Sequence, residues 1–278
     1  GMGPKLLPLT LKPGQDPKKP GRIWGDAVRL GEGVRWMQRS KITEGFVDEA
    51  IPFMRKAAKG KKPFYVNLWP DDVHSPFWPP VDKWGNGKRE LFLSVLREMD
   101  RQFGKLFDFV RDDEALAKNT LVLICSDNGP ELGAGVAGPF RGYKTYLYEG
   151  GVRSSLIAWG PGLIPADKAG KVNEKSVFSA VDLVPTLLEL TGTPQPKGAK
   201  YDGESLPEVL LGKSDASRKQ PLLFRRPPDR DAFYGDNDLP DLAIREGKWK
   251  FLCEYDGTDA ELYDMEVDRG ETKNLADK

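Results

Sequence analysis

The sequence predicts an α/β layered domain followed by a small antiparallel subdomain. Three observations carry that expectation. Helix-like and strand-like segments alternate between about Ile42 and Leu190. One of them, Leu121–Cys125, is apolar on both faces, as a central parallel strand covered by helices would be. Beyond Pro221 the texture changes to short alternating segments joined by Gly-containing turns.

Residues 1–40 are rich in Pro, Gly and Lys without periodicity and read as an irregular N-terminal arm. The α/β segment then runs over 41–220. Thr43 is placed as the cap of a helix reaching Lys59, with Val47, Ala50, Ile51, Met54 and Ala57 at helical spacing. Pro63 closes that pattern, and Phe64–Trp69 reads as a buried strand. A second helix, Arg89–Val110, repeats Leu91, Val95, Met99, Phe103, Leu106 and Val110 between charged positions. Strands follow at Thr120–Cys125 and Ser155–Trp159, then a helix over Val177–Leu190 with Val181, Val184 and Leu188 on one face. The last segment, 221–278, is the antiparallel subdomain. Leu242–Arg245 and Lys248–Leu252 flank a Glu246-Gly247 turn, and the alternation predicts Lys248 and Lys250 wet, Trp249 and Phe251 buried. Asp256-Gly257 turns into Glu261-Leu262-Tyr263.

The 42 basic residues balance 42 acidic ones, so the composition argues for neither nucleic acid nor an anionic membrane as a partner. No apolar run approaches the roughly 18 residues of a membrane span. Two cysteines, Cys125 and Cys253, exclude a disulfide framework without fixing a compartment, and Cys125 is read as a core residue. The Gly before Met2 reads as the remnant of a cleaved tag, so a native export signal could have been removed.

Ser126-Asp127-Asn128-Gly129 directly follows the apolar strand, where ligand sites of open α/β sheets lie. An Asp carboxylate beside an Asn amide oxygen offers two hard donors suited to Ca²⁺ or Mg²⁺; the plainer reading is a turn. Gly133–Gly142, ending in Lys144-Thr145, fails as a phosphate loop because Tyr143 intervenes before the Lys and Pro139 and Phe140 crowd it. His74 is the one histidine, set beside Asp71-Asp72 just past a predicted strand end. It can hydrogen-bond or protonate a leaving oxygen, or be structural.

Taken in order, these blocks resemble the sulfatase family. Lys62-Pro63-Phe64-Tyr65 through His74-Ser75-Pro76 is similar to its strand and His-Thr/Ser-Pro loop, and Ser126–Gly129 to its metal-binding strand end. Gly142-Tyr143-Lys144 through Tyr148-Glu149-Gly150-Gly151-Val152-Arg153 resembles its second signature. Val181–Leu188 matches the following helix, and Glu261–Asp264 with Glu271–Leu275 the C-terminal close. The resemblance implies an alkaline-phosphatase-like mixed sheet with an incomplete N-terminal half, and a calcium-dependent sulfuric ester hydrolase acting on a sulfated small molecule or glycan. It implies Asp127 and Asn128 as half of a Ca²⁺ shell, Lys144 on a sulfate oxygen and His74 at the leaving oxygen, all meeting at one sheet edge. Glu149 and Arg153 are left as an ion pair shaping the loop. A periplasmic or secreted location is expected from the family.

The family's nucleophile is a formylglycine made within Cys/Ser-x-Pro-x-Arg. The nearest sequence, Ser205-Leu206-Pro207-Glu208-Val209, has Val209 in place of the Arg. An early Asp-Asp pair and a Lys-x-His are also missing, so weak Ca²⁺ binding and an inactive isolated chain are expected. Shortening of a longer chain, an upstream frame and a non-catalytic relative are the explanations; shortening fits best because the retained residues still read as catalytic. A homodimer covering an incomplete sheet is expected, the alternative being that the Pro-rich arm Lys5–Arg22 folds over the gap and leaves a monomer. Rival functions are a phosphatase or phosphonate-ester hydrolase, which would need more than one His for two metals, and a carbohydrate-binding relative using Trp69, Trp78 and Trp84. Arg225, Arg226 and Arg230 suit an anionic glycan group, against the plainer reading of a solvated charge run.

Overall fold

The computed structural model describes residues 5–25, 28, 33–226 and 239–276. The chain divides into two compact units, one of residues up to Ala117 with Gly133–Gly135, the other of Lys118–Leu132 and the residues from Val136 onward.

In the first unit, strand β1 (Lys5–Thr10) lies between β2 (Gly21–Arg22) and β3 (Val34–Gln38). It runs parallel to β3 from Lys5↔Val34 to Leu9↔Gln38 and antiparallel to β2 at Leu9 and Thr10. The irregular arm expected over 1–40 thus contains three strands. Pro8 obscured the first of them. It is tolerated because β1 short of Leu9 has β3 alone as a partner, so no ladder bond is lost on the other edge.

Helix α1 (Ile42–Lys59) buries Val47, Ala50 and Met54 and packs on α2 (Lys88–Asp112), whose buried stripe is Val95, Glu98, Gln102, Leu106 and Val110. The spacing is the predicted helical one, yet two members are polar. Gln102 accepts from Glu44 N at 2.7 Å and donates to Ser40 O, tying the entry of α1 to α2. Thr43 is not a cap; the helix starts at Ile42, and the Thr43 hydroxyl donates to Asp72 Oδ2 at 2.7 Å. Phe64–Trp69 forms no ladder, so the predicted strand is absent as a paired element. It keeps a strand's alternation, with Tyr65 and Trp69 68% and 80% exposed and Phe64, Val66 and Leu68 half-buried.

The short helix α3 (Glu114–Asn119) falls at the division of the units. In the second unit β4 (Val122–Cys125) pairs antiparallel with β5 (Leu156–Trp159), from Val122↔Trp159 to Cys125↔Leu156. The expected central parallel strand is therefore half of a two-stranded antiparallel ladder. Ile124 and Cys125 are exposed, so Cys125 is not a core residue here. Between these strands lies one turn of helix, α4 (Glu149–Val152).

Helix α5 (Ala180–Leu190) is turned the opposite way from expectation: Val181 and Val184 are exposed, and Asp182 and Thr186 are fully buried. Asp182 accepts from Arg218 Nη1 at 2.7 Å, Glu204 N at 2.8 Å and Ser179 N at 2.8 Å. Thr186 Oγ1 accepts from Leu206 N, just ahead of the short helix α6 (Pro207–Leu210). Polar anchoring to the 202–218 segment, not apolar packing, sets the rotation.

The C-terminal sheet is antiparallel, in the order β6 (Leu222–Arg225), β7 (Leu242–Glu246), β8 (Trp249–Cys253), β9 (Glu261–Asp264). Glu246 pairs with Trp249, so the two-residue turn is Gly247-Lys248, one position later than predicted, with Gly247 at φ 54. The predicted faces of β8 are inverted: Lys250 and Leu252 are buried, Trp249 and Phe251 exposed. Tyr146, Leu147, Tyr148, Ala243, Leu252, Tyr263 and Met265 form the core beneath this sheet.

Candidate functional site: two anchored loops

The loop after β4 is laced to the segment before β5 by three backbone-directed bonds. Lys144 N donates to Pro130 O at 2.9 Å, Gly129 N to Gly151 O at 2.8 Å, and Ser154 Oγ to Ser126 O at 2.9 Å. Asp127 is exposed and Asn128 half-buried on that loop, and Lys144 is half-buried on the other. Close approach dictates the glycines. A Cβ on Gly129 would collide with the Gly150 carbonyl, and one on Gly150 with the carbonyls of Arg141 and Gly142. Thr145, next to Lys144, has φ 84, an unusual value for a β-branched residue, and its buried hydroxyl has no partner.

Glu149 anchors this segment from behind. Its N–H donates to Glu271 Oε2 at 2.7 Å, and its carboxylate meets Lys250 Nζ at 3.1 Å and Arg153 and Arg245 at 3.4 Å each. Burial works to raise the Glu149 carboxyl, but Lys250, Arg245 and Arg153 outweigh it and hold it below the usual carboxylate range. Burial prevails at Glu271, which is raised. The expected Glu149–Arg153 pair is thus one contact of a larger buried cluster. Glu271 is marked only as part of the C-terminal block, and Lys250 reads as wet because an alternating strand Lys does so; nothing in the sequence joins the two.

His74 belongs to the first unit. Its loop turns through His74 N–Asp71 O at 2.9 Å, and the exposed ring approaches Ser75 O through Nδ1 at 2.7 Å. A carbonyl only accepts, so Nδ1 donates there and Nε2 is left for another partner. Behind the loop Arg39, 2% exposed, donates to the Asp71 carboxylate and to the carbonyls of Asp71 and His74, and stacks on Trp24. Asp72 is buried under the Thr43 hydroxyl, and that burial raises its carboxyl. Arg39 was invisible as a site residue because residues 1–40 read as an irregular arm.

Of the residues singled out from sequence, Asp127, Asn128 and Lys144 sit on neighbouring loops of the second unit, and His74 lies in the first. Among the described residues no group of three or more His, Cys, Asp or Glu is placed to hold a metal. Ser205 donates to Glu189 Oε2. Arg226 pairs with Asp241 at 3.2 Å and Arg225 Nε donates to Tyr255, while Arg230 lies outside the described residues.

Residues 16–193 match the family model described as Sulfatase, and residues 140–278 that described as N-sulphoglucosamine sulphohydrolase, C-terminal. The chain is 31% identical over 192 residues to N-acetylgalactosamine-6-sulfatase of Canis lupus familiaris, covering 67% of this chain and 35% of that protein. It is 27% identical over 258 residues to a sulfatase of Formosa agariphila, covering 84% of this chain and 46% of the relative. Among solved structures, a sulfatase from Pseudoalteromonas superposes with TM-score 0.67 at 25% identity, over 85% of this chain and 48% of the other. A Bacteroides thetaiotaomicron protein titled for the metabolism of multiple glycosaminoglycans gives TM-score 0.69 at 24% identity, over 87% and 52%, and shows the shared fold. The chain thus spans between about a third and a half of the length of these curated relatives.

Proposed function

The chain belongs to the sulfatase family, and from that premise we propose that it forms part of a sulfuric ester hydrolase cleaving a sulfate ester on a carbohydrate or aryl group. The observation that carries the reading is the lacing of the 126–130 loop to the Lys144–Ser154 segment, which sets a carboxylate, an amide oxygen and a lysine on adjoining loops of one unit. Asp127 and Asn128 would hold a Ca²⁺ through hard oxygens, and Lys144 would face a sulfate oxygen. The donor chemistry fits the ion; the donor number does not, because two ligands make half a shell. When bound, the ion would stabilise charge on the transferred sulfuryl group.

His74 is assigned to the departing ester oxygen, with Nδ1 committed to Ser75 O and Nε2 free to carry the proton. The formylglycine motif does not occur in these 278 residues. The nucleophile is accordingly assigned to residues other than these, and the isolated chain to negligible turnover. No described helix is long and apolar enough to cross a membrane. A periplasmic or secreted location completes the proposal.

A sulfate titration followed by NMR tests it. Shifts should concentrate at 126–130 and 141–147, with affinity reduced about tenfold in Lys144→Ala, the loss expected for one charge-assisted hydrogen bond. Unchanged affinity in that variant removes Lys144 from the site. Hydrolysis of an aryl sulfate well above buffer, lost in His74→Ala, would show that the isolated chain carries its own nucleophile and overturn the assignment of that group elsewhere.

A further inference from the structure

The residue that follows Lys144 sits in a turn whose type its backbone identifies. Tyr146 N donates to Tyr143 O at 3.0 Å, which makes Lys144 and Thr145 the two central residues of a four-residue turn. Thr145 has φ 84, and Lys144 is not among the residues of positive φ. A positive φ at the second central position alone defines a type II turn, where glycine or asparagine is the usual occupant. In a threonine that φ crowds Cβ against the preceding carbonyl, Lys144 O. The Thr145 hydroxyl is buried and unpartnered as well. One residue thus carries two unfavourable features beside a candidate site residue.

The relaxed alternative is a type I turn, reached by flipping the Lys144–Thr145 peptide, with φ negative at both central residues. The bonds that hold the loop survive the flip. The closing bond from Tyr146 N to Tyr143 O is common to both turn types, and the anchor from Lys144 N to Pro130 O at 2.9 Å lies outside the flipping peptide. The carbonyls packed closest on Gly151 are those of Tyr146 and Tyr143, not that of Lys144. Among the described residues no hydrogen bond uses Lys144 O or Thr145 N, the two polar atoms that would exchange sides.

We propose that the Lys144–Thr145 peptide is a two-state element, strained in the type II form of this structure, which an oxyanion beside Lys144 shifts to the type I form. The flip exchanges the sides of Lys144 O and the Thr145 N–H. An anion held by the Lys144 ammonium therefore meets an attracting donor in one form and a repelling carbonyl in the other, the differential contact that a population shift requires. The relaxed form is the one a threonine favours, and it is assigned to the bound state. Glycine would suit the type II form and hold the peptide there. The coupling to an anion rests on the assignment of Lys144 to a sulfate oxygen; the flip itself does not.

The test is amide relaxation dispersion with a sulfate titration, on the 278-residue chain and its Thr145→Gly and Lys144→Ala variants. In the parent chain the Thr145 amide should show microsecond-to-millisecond exchange, and sulfate should drive it toward the minor form. Thr145→Gly should suppress that exchange and raise the thermal midpoint. It should also weaken sulfate binding about fivefold, because the competent form becomes rarer. A silent Thr145 amide in the parent, equal exchange in Thr145→Gly, or sulfate affinity unchanged or tightened by that substitution overturns the proposal. Unchanged sulfate affinity in Lys144→Ala removes the assignment of Lys144 and the anion coupling with it. Weakened binding in Lys144→Ala beside a silent Thr145 amide leaves that assignment standing and sinks the flip alone.

Discussion

Lys250 Nζ lies 2.8 Å from Glu271 Oε1, and neither side chain has any exposed surface. Lys250 also reaches Glu149, so one fully buried cation joins strand β8, the C-terminal loop and the Glu-Gly-Gly turn of helix. The relationship explains the inverted faces of β8. A strand places alternate residues on opposite faces, so a Lys committed inward turns Trp249 and Phe251 outward.

Removing this cation should be far more harmful than removing the neighbouring indole. Lys250→Met leaves the buried Glu271 carboxylate without its cation and takes from Glu149 one of its three, Arg153 and Arg245 remaining, and is expected to destabilise by about 3 kcal/mol. Trp249→Ser, at a position 43% exposed, should stay within about 0.5 kcal/mol. Urea denaturation midpoints of the two variants check the order; a greater loss at Trp249 would restore the face assignment read from the sequence.

How much of this was legible follows from what periodicity can report. The α2 stripe and the β7–β8 hairpin were readable because spacing and turn residues fix them locally. The rotation of α5 and the face of β8 were not, because Asp182–Arg218 and Lys250–Glu271 join residues far apart in sequence. Strand β1 hid behind Pro8, and Phe64–Trp69 has a strand's alternation without a ladder. In the candidate site, Asp127, Asn128 and Lys144 were found through motifs, whereas Arg39, which acts through loop carbonyls, left no local signal.

Acid should loosen the first unit at Glu98. Burial works to raise the Glu98 carboxyl, but hydrogen bonds from Arg101, Lys83 and Gln102 bring it down from 4.5 to about 2. A depressed carboxyl contributes stability that is complete above pH 4.5 and lost as the pH falls toward 2. Since Arg101 and Lys83 are themselves well exposed, the contribution is on the order of 1 kcal/mol after solvent screening. Melting of the parent and Glu98→Gln chains between these pH values should converge; parallel curves would contradict the assignment.

Arg39→Lys should free the His74 loop without unfolding the chain. An ammonium cannot reproduce the fork that meets the Asp71 carboxylate and the carbonyls of Asp71 and His74 together. Amide hydrogen exchange at His74, whose N–H bonds to Asp71 O, should quicken about tenfold for a loss on the order of 1.4 kcal/mol in local opening. Unchanged exchange there would mean that the loop is held by its own turn.

The inverted helix α5 allows a separate comparison. Asp182→Ala strips Arg218, itself buried, of its carboxylate and should cost about 3–5 kcal/mol. Val184→Ser, on the 49% exposed side, should cost no more than about 0.5 kcal/mol in dilute solution. Equilibrium unfolding would expose the opposite ranking if Val184 were the packed residue.

Exposed apolar side chains in the second unit lead to the last expectation. Ile124 and Ile157 are paired neighbours on β4 and β5, 39% and 53% exposed, and the ladder they belong to has only two strands. Each strand therefore leaves one edge without a strand partner among the described residues, and such an edge beside apolar side chains invites pairing with another chain. A two-fold pair would be the commonest closed form of that association. Light scattering of the 278-residue chain should then show an average mass that rises with concentration, and Ile157→Lys should hold it at the monomer value by placing a charge on the apolar pair. A monomer mass across the whole concentration range for the parent chain would sink the idea and show that neither the two edges nor the Ile124–Ile157 surface is sufficient to recruit a second copy.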